Sequence, residues 1–125
     1  MEARFSVQIE FTLRMPEAAY VAHAESVVPV MRAIPGLQSK VWIVSEDGRK
    51  AGGLYLFRDA ASARAYVEGP FVAGLRASPN LADVSVRISR VLETLTTATN
   101  APAEVGAFDP PLVAAGRQSD REREQ

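Results

Sequence analysis

Near its amino end the chain carries the segment FSVQIEFTL, residues Phe5–Leu13, in which apolar and polar side chains alternate. Successive side chains of a β-strand point to opposite faces of its sheet, so this period of two predicts a strand with one strongly apolar face. A face of that kind needs a cover. The residues that follow the strand are expected to provide it.

A helix is predicted directly after this strand. Pro16 suits a first helical turn, where a missing N–H costs nothing. The apolar residues from Tyr20 to Ile34 are spaced by three and four positions, which places them on one helical face. Pro29 lies inside the pattern and is expected to kink the helix, and the Pro-Gly pair after Ile34 is expected to end it.

A β-hairpin and a second helix are predicted next. Residues 37–44 and 53–57 are rich in apolar residues typical of strands, and the Glu-Asp-Gly turn at residues 46–48 joins them. Asp59 can cap a helix that runs through Glu68. The hairpin places its two strands side by side in one antiparallel sheet.

The remaining elements complete a ferredoxin-like order. A short apolar segment, residues 71–75, precedes an alternating stretch at residues 84–88 that predicts a fourth strand, with a possible extension to Leu95. The order βαββαβ predicts an α+β domain in which helices cover one face of a four-stranded antiparallel sheet. Nothing else in this short chain can cover the other face, so a homodimer is predicted.

The composition excludes several classes of function. The chain has 125 residues and a net charge of −1, with 14 basic and 15 acidic residues in no large cluster, which argues against a nucleic-acid partner. It has no cysteine and one histidine, so no metal site or other cofactor site is predicted. Its first residues resemble neither a signal peptide nor a membrane span, and a cytoplasmic location is predicted.

The composition changes near Asn100. From there the chain is rich in alanine and proline, and it ends in a charged stretch at residues 119–125. Such a sequence buries too little apolar surface to offset the entropy of ordering it. We therefore predict a folded domain over residues 1–99 and a flexible tail over residues 100–125.

One block of the sequence resembles a known family. Lys40-Val41-Trp42, Ser45-Glu46 and the later run Ala-Gly-Gly-Leu-Tyr-Leu-Phe at residues 51–57 are similar, in order and spacing, to the YdhR family of mono-oxygenases. Asp59 and the helix after it add to the resemblance, which covers most of residues 5–100. The resemblance implies a dimeric α+β barrel and relatives that oxidise polycyclic phenols with molecular oxygen and without metal or flavin.

Three side chains are candidates for catalysis. His23 is the only histidine, and imidazole is the side chain whose charge changes near neutral pH. It falls at the edge of the first helix's apolar stripe, where it could face a pocket or simply lie at the boundary with solvent. Tyr55 and Tyr66 carry hydroxyls on mostly apolar elements, and a buried tyrosine hydroxyl bonds either a substrate or the protein itself.

Three aromatic side chains are candidates for substrate binding. Trp42 lies in the middle of the second strand, where its ring could stack against a flat aromatic substrate or fill the core. Tyr20 on the first helix and Phe57 at the end of the third strand complete this set, although Tyr20 also fits a place in the core.

Three functions remain open from the sequence. The first is a cofactor-independent mono-oxygenase that acts on an aromatic or polyketide-like phenolic substrate with molecular oxygen. The second is a cyclase or isomerase that uses the same pocket without oxygen. The third is a non-catalytic dimer that binds a small apolar ligand.

Overall fold

The computed structural model describes residues 3–101, which form four strands and four helices. The strands are β1 (Phe5–Leu13), β2 (Leu37–Val44), β3 (Lys50–Phe57) and β4 (Leu81–Arg90). The helices are α1 (Glu17–Arg32), α2 (Ala60–Val67), α3 (Pro70–Ala77) and α4 (Glu93–Asn100). By its internal contacts the chain divides at residue 93, and the first unit holds the whole sheet and helices α1 to α3.

The four strands form one antiparallel sheet in the order β2-β3-β1-β4. Strands β3 and β4 both pair with β1 over nearly its full length, so the alternating sequence of β1 lies at the centre of the sheet. This is the ferredoxin-like arrangement predicted from the sequence.

The residues of β1 with odd numbers face the helices and form the core. Val7, Ile9 and Phe11 are buried there beside Tyr55 and Phe57 of β3. Helix α1 packs over this face through Met31 and Tyr20, and α2 and α3 add the buried side chains of Ala63, Tyr66 and Val72. We call this side of the sheet the covered face.

The residues of β1 with even numbers lie on the opposite side, which we call the open face. Cross-strand register brings Gln8 and Glu10 onto it beside Ser85 and Arg87 of β4. The open face also carries Val41 and Ile43 of β2 and Leu54 of β3, all of which are exposed. The protomer therefore leaves one face of its sheet in contact with solvent.

Strands β3 and β4 begin three residues earlier than predicted, at Lys50 and Leu81, and two further boundaries also differ from the prediction. The apolar segment at residues 71–75 belongs to a full helix, α3, because Pro70 starts it and Phe71, Val72 and Leu75 share one helical face. Strand β4 ends at Arg90 instead of reaching Leu95. The Glu93 carboxylate accepts hydrogen bonds from the backbone N–H and guanidinium of Arg4, and α4 begins at this residue.

The predicted capping residue of α2 is confirmed, whereas the kink expected at Pro29 stays a prediction. Asp59 caps α2, since its carboxylate accepts a hydrogen bond of 2.8 Å from the backbone N–H of Ser62. Helix α1 continues through Pro29 to Arg32. The predicted flexible tail lies, from residue 102 onward, outside the described residues.

Candidate active site

A small cavity, partly open to solvent, lies between α1, the covered face of the sheet and α3. Its volume is about 50 Å³. Aromatic and aliphatic side chains form most of its wall, and two nitrogen bases, His23 and Lys40, interrupt it. The lining residues are Phe11, Tyr20, His23, Ala24, Val27, Met31, Lys40, Trp42, Tyr55, Phe71 and Leu75.

Lys40 occupies an unusual position for a lysine. It lies on β2 directly opposite Tyr55, on the covered face. Its Nζ is 3.2 Å from the centroid of the Trp42 ring, 4.5 Å from that of Tyr55 and 4.0 Å from the sulfur of Met31. Within residues 3–101, no carboxylate lies within 4.0 Å of this amine.

Burial sets the charge state of this amine. Removal of the ammonium from water disfavours its charged form and lowers the pKa of Lys40 to about 7. The faces of the Trp42 and Tyr55 rings act in the opposite sense, because they attract a cation. Near neutral pH, Lys40 therefore exists in both the amine and the ammonium form.

The absence of a side chain at Gly53 makes room for Lys40. Gly53 pairs with Trp42 on the covered face. A Cβ at this position would lie 2.7 Å from Cε of Lys40 and 2.9 Å from Cε1 of Tyr55, which is too close for either. The neighbouring Gly52 serves the backbone instead, since a Cβ there would collide with the carbonyl oxygen of Ile9.

The predicted tyrosines form a buried pair. The hydroxyl of Tyr66 donates a hydrogen bond of 3.1 Å to the hydroxyl of Tyr55, which lines the cavity. Burial is the main cause that raises the pKa of both tyrosines, and it also raises the pKa of Tyr20. These hydroxyls therefore keep their protons near neutral pH and can serve as hydrogen-bond donors.

His23 contributes to the cavity from its outer side. His23 is an exposed residue of α1, and its side chain nevertheless forms part of the cavity wall. The sequence left open whether His23 faces a pocket or lies at the boundary with solvent, and the structure gives it features of both. Its catalytic role stays a prediction.

Trp42 lines the cavity and also two neighbouring grooves at the surface. It is 37% exposed, and each groove has a volume of about 280 Å³. One groove runs along Val28, Arg32 and Gln38, and the other along Tyr20, Glu25 and Val28.

Phe57 lies behind the cavity. It is 0% exposed, and its ring stacks on that of Tyr55 with centroids 6.3 Å apart. It does not line the cavity, so its contribution to substrate binding would act through the position of Tyr55.

A larger depression lies elsewhere and offers less chemistry. It has a volume of about 460 Å³ between the end of α1 and helices α2 and α3, with Ile34, Ala65 and Phe71 in its wall. Tyr66 is its only titratable side chain. The cavity around Lys40 is the better candidate for a reaction, because it alone combines aromatic walls with two bases among the cavities described here.

Lys40 was absent from the predicted site residues. Strand β2 is apolar on both sides, so its own alternation does not show which face is covered. The signal was the hairpin register. Lys40, Trp42 and Val44 share a face with Ala51, Gly53 and Tyr55, so the register shows that Lys40 faces the helices but not how far it is buried.

Residues 3–101 contain no group of three or more side chains placed to hold a metal ion. None of the helices in this part of the chain is long and apolar enough to cross a membrane. The cytoplasmic location stays a prediction.

Several solved structures share this fold. The cofactor-independent oxygenase SnoaB of Streptomyces nogalater is 15% identical, with a TM-score of 0.60 over 74% of this chain and 97% of that chain. A monooxygenase from the gene ActVA-Orf6 of Streptomyces coelicolor, solved with the ligand Nanaomycin D, is 20% identical, with a TM-score of 0.56 over 71% and 88%. The NE2512 protein of Nitrosomonas europaea is 20% identical, with a TM-score of 0.61 over 82% and 97%.

Identities this low establish a common fold and nothing finer. Among curated proteins, no sequence match to the chain is found. A family model described as "Putative mono-oxygenase ydhR" matches residues 7–102, which include the whole sheet except its first two residues and the entire cavity. The chain therefore belongs to the ydhR family.

Proposed function

We propose that this protein is a cofactor-independent mono-oxygenase that acts on an aromatic or polyketide-like phenolic substrate with molecular oxygen. The observation that carries the proposal is the cavity between α1 and the covered face. Its walls are largely aromatic and apolar, yet it holds two nitrogen bases and a tyrosine donor. An electron-rich ring could bind there and lose a proton.

The chemistry needs little more from the protein. A deprotonated phenol or anthrone can pass an electron to oxygen by itself, so the protein has to position the ring, accept a proton and exclude water. When a ring CH₂ becomes a carbonyl, one oxygen atom enters the product and the other leaves as water. The substrate supplies all four electrons that this reduction of oxygen requires.

The lining residues suit these tasks. Trp42 and Tyr20 would hold the ring, and His23 would act as a base at the outer side of the cavity. Tyr55 would donate a hydrogen bond to the developing oxyanion, with its hydroxyl oriented by Tyr66. Phe57 would fix the Tyr55 ring from behind.

Two relatives by fold support this assignment. SnoaB is a cofactor-independent oxygenase, and the ActVA-Orf6 monooxygenase was solved with Nanaomycin D as its ligand. The family to which the chain belongs also carries a mono-oxygenase description. We transfer the reaction type to this chain as part of the proposal, and leave the substrate at the level of its class.

The proposal includes a homodimer that closes over the open face. Val41 and Leu54 are 55% and 44% exposed there, and Ile43 lies beside them. Apolar side chains gathered on one face favour burial against a partner. Glu10 and Arg87 lie on the same face with opposite charges, so a two-fold axis could pair each with the other's counterpart.

The dimer can be tested by light scattering after size exclusion. The wild-type protein should elute with twice the protomer mass, and Leu54→Glu should lower the mass to that of one protomer. Arg64→Glu provides a control, since Arg64 is exposed on α2, away from the open face. A monomeric wild type would overturn the dimer.

The reaction can be tested with dissolved oxygen. A panel of anthrones and hydroxylated naphthalenes would be added to metal-stripped protein in the presence of chelator, with His23→Ala and Tyr66→Phe alongside. Oxygen uptake that survives the chelator and falls in the variants would support the proposal. Substrate conversion under nitrogen would indicate a cyclase or isomerase. Binding without conversion would indicate a ligand-binding protein.

A further inference from the structure

Lys40 is a buried amine to which the reaction above assigns no task. It sits deeper than His23, and the side chains packed around it come from four elements. Trp42 lies beside it on β2, Tyr55 faces it from β3, Met31 covers it from α1, and Phe71 and Leu75 close the cavity from α3.

Few ionisable groups share this environment. Tyr20, His23 and Tyr55 line the same cavity, and Glu25 and Arg32 line the two outer grooves. Within the described residues, Lys40 makes no ion pair at 4.0 Å or less. Only ring faces and a sulfur atom contact its nitrogen, and these offset little of the cost of burying a charge.

Such a lysine lacks an anion, and an ionised substrate would supply one. The interaction between an ammonium and an oxyanion is stronger in a low-dielectric cavity than in water. The same surroundings that disfavour the lone ammonium would therefore favour the pair. The uncharged amine, in turn, is a proton acceptor whose strength suits neutral pH.

We propose that Lys40 accepts the proton of a phenol or enol bound against Trp42 and holds the resulting oxyanion as an ammonium–oxyanion pair. This inference rests on the proposed function for its substrate class. In the step, the O–H bond of the substrate breaks and an N–H bond forms on Lys40. No electron is transferred until oxygen reacts with the anion.

The proposal divides the work between the two bases. Lys40 is partly buried and lies deeper than His23, so the pair it forms is partly screened from water. His23 is exposed at the outer side of the cavity, where it can accept the second proton, from the ring carbon, and both protons leave in the water molecule. Gly53 supports Lys40 because, having no side chain, it leaves room for Cε of Lys40 on the covered face.

The first test uses para-nitrophenol, whose phenolate absorbs visible light and whose phenol does not. The probe would be mixed with protein under nitrogen at a pH below its own pKa. We expect the bound probe to be ionised about tenfold more than the free probe, which corresponds to a pKa lowered by about one. Lys40→Met should abolish this increase.

The chain offers a matched control, because it has only two lysines and the other, Lys50, is exposed. Lys50→Met should leave the probe spectrum unchanged. Lys40→Arg separates the two tasks, since arginine keeps a charge but cannot accept a proton at neutral pH. This variant should still hold the phenolate, and should lose oxygen uptake with an anthrone.

A second test follows the charge on Lys40 directly. Trp42 is the only tryptophan, and it lies 3.2 Å from the amine, so its fluorescence should change as Lys40 titrates. We expect a transition near pH 7 that persists in His23→Gln and is missing in Lys40→Met. A transition that is lost in His23→Gln, or that persists in Lys40→Met, would overturn the proposal.

The outcomes separate this inference from the proposed function. Unchanged phenolate binding in Lys40→Met would overturn the role of Lys40, even if oxygen uptake continues. Phenolate binding that depends on Lys40, without oxygen uptake for any substrate, would support the anion site and contradict the mono-oxygenase. If Lys40→Met fails to fold, phenolate binding is measured with Lys40→Arg, which keeps the charge. Loss of binding in this variant would contradict a requirement for a positive charge at this position.

Discussion

The two faces of the sheet are built from the same strands and differ in almost every physical property. On the covered face, Val7 and Phe57 are fully buried, and an amine and a hydroxyl pair lie enclosed among rings. On the open face, Glu10, Arg87 and exposed aliphatic side chains such as Leu54 meet solvent. The comparison places the core of the protomer on one face, and our proposals place the reaction on that face and association on the other.

The largest difference between the faces should appear in stability. Phe57→Ala should lower the free energy of unfolding by about 3–5 kcal/mol, because it leaves a cavity in the core. Leu54→Ala, on the open face of the same strand, should cost less than about 1 kcal/mol in the isolated protomer. Urea unfolding of both variants at low protein concentration would measure this. Equal losses would contradict the division.

The adjacent glycines sharpen the comparison, since they face opposite sides. Gly52→Ala should cost about 2–3 kcal/mol, because its Cβ meets the carbonyl of Ile9, which the strand pairing holds in place. Gly53→Ala should cost less, about 1–2 kcal/mol, because the end of the Lys40 side chain can move aside and only the Tyr55 ring has to shift within the core. Thermal unfolding gives both values.

The two glycine substitutions should have the opposite order of effect on ligand binding: Gly53→Ala should weaken it more than Gly52→Ala. Gly53→Ala displaces Lys40 and should reduce para-nitrophenolate binding about tenfold or more, while folded Gly52→Ala should retain it. A Gly53→Ala protein that binds the probe normally would show that the space at Gly53 does not position Lys40.

The pH dependence of stability should also reflect the covered face. The pKa of Lys40 falls from 10.5 to about 7 on folding, so between these values the unfolded chain binds more protons than the native protein. Relative to Lys40→Met, the wild type should therefore become more stable as pH rises from 7 to 9. Partial exposure limits the expected gain to about 2 kcal/mol. A flat difference, measured by denaturant unfolding, would contradict the burial of the amine.

The smallest expected effect concerns the tyrosine pair. Tyr66→Phe removes the hydrogen bond to Tyr55 and should cost about 1 kcal/mol in thermal unfolding. Tyr20→Phe is the control, because in the described structure its hydroxyl makes no hydrogen bond to the protein. An equal loss in both variants would mean that the bond between the hydroxyls adds nothing.

Periodicity was sufficient to predict the fold. The alternation in β1 and the spacing in α1 identify their buried sides, and the hairpin fixes the register of β2 and β3. The extent of α3 was missed because eight residues hold little more than two helical turns. The end of β4 was missed because the bond between Glu93 and Arg4 joins residues distant in sequence.

The site was predictable only in part. Tyr20, Trp42 and Tyr55 were identified as aromatic residues on apolar elements, and the structure brings them to one cavity with His23. Lys40 was missed because lysine is ordinarily a surface residue, and its enclosure depends on packing across three elements. Local sequence patterns contain no information on such packing.

The most direct test of the account is oxygen uptake with an anthrone, in the presence of chelator, by the wild type beside Lys40→Met and Lys50→Met. The account predicts uptake by the wild type and Lys50→Met, and a loss of at least about a hundredfold in Lys40→Met, as expected when a general base is removed. Equal uptake by all three proteins would contradict the role of the covered-face amine. No uptake by any of them, across the substrate panel, would contradict the mono-oxygenase itself.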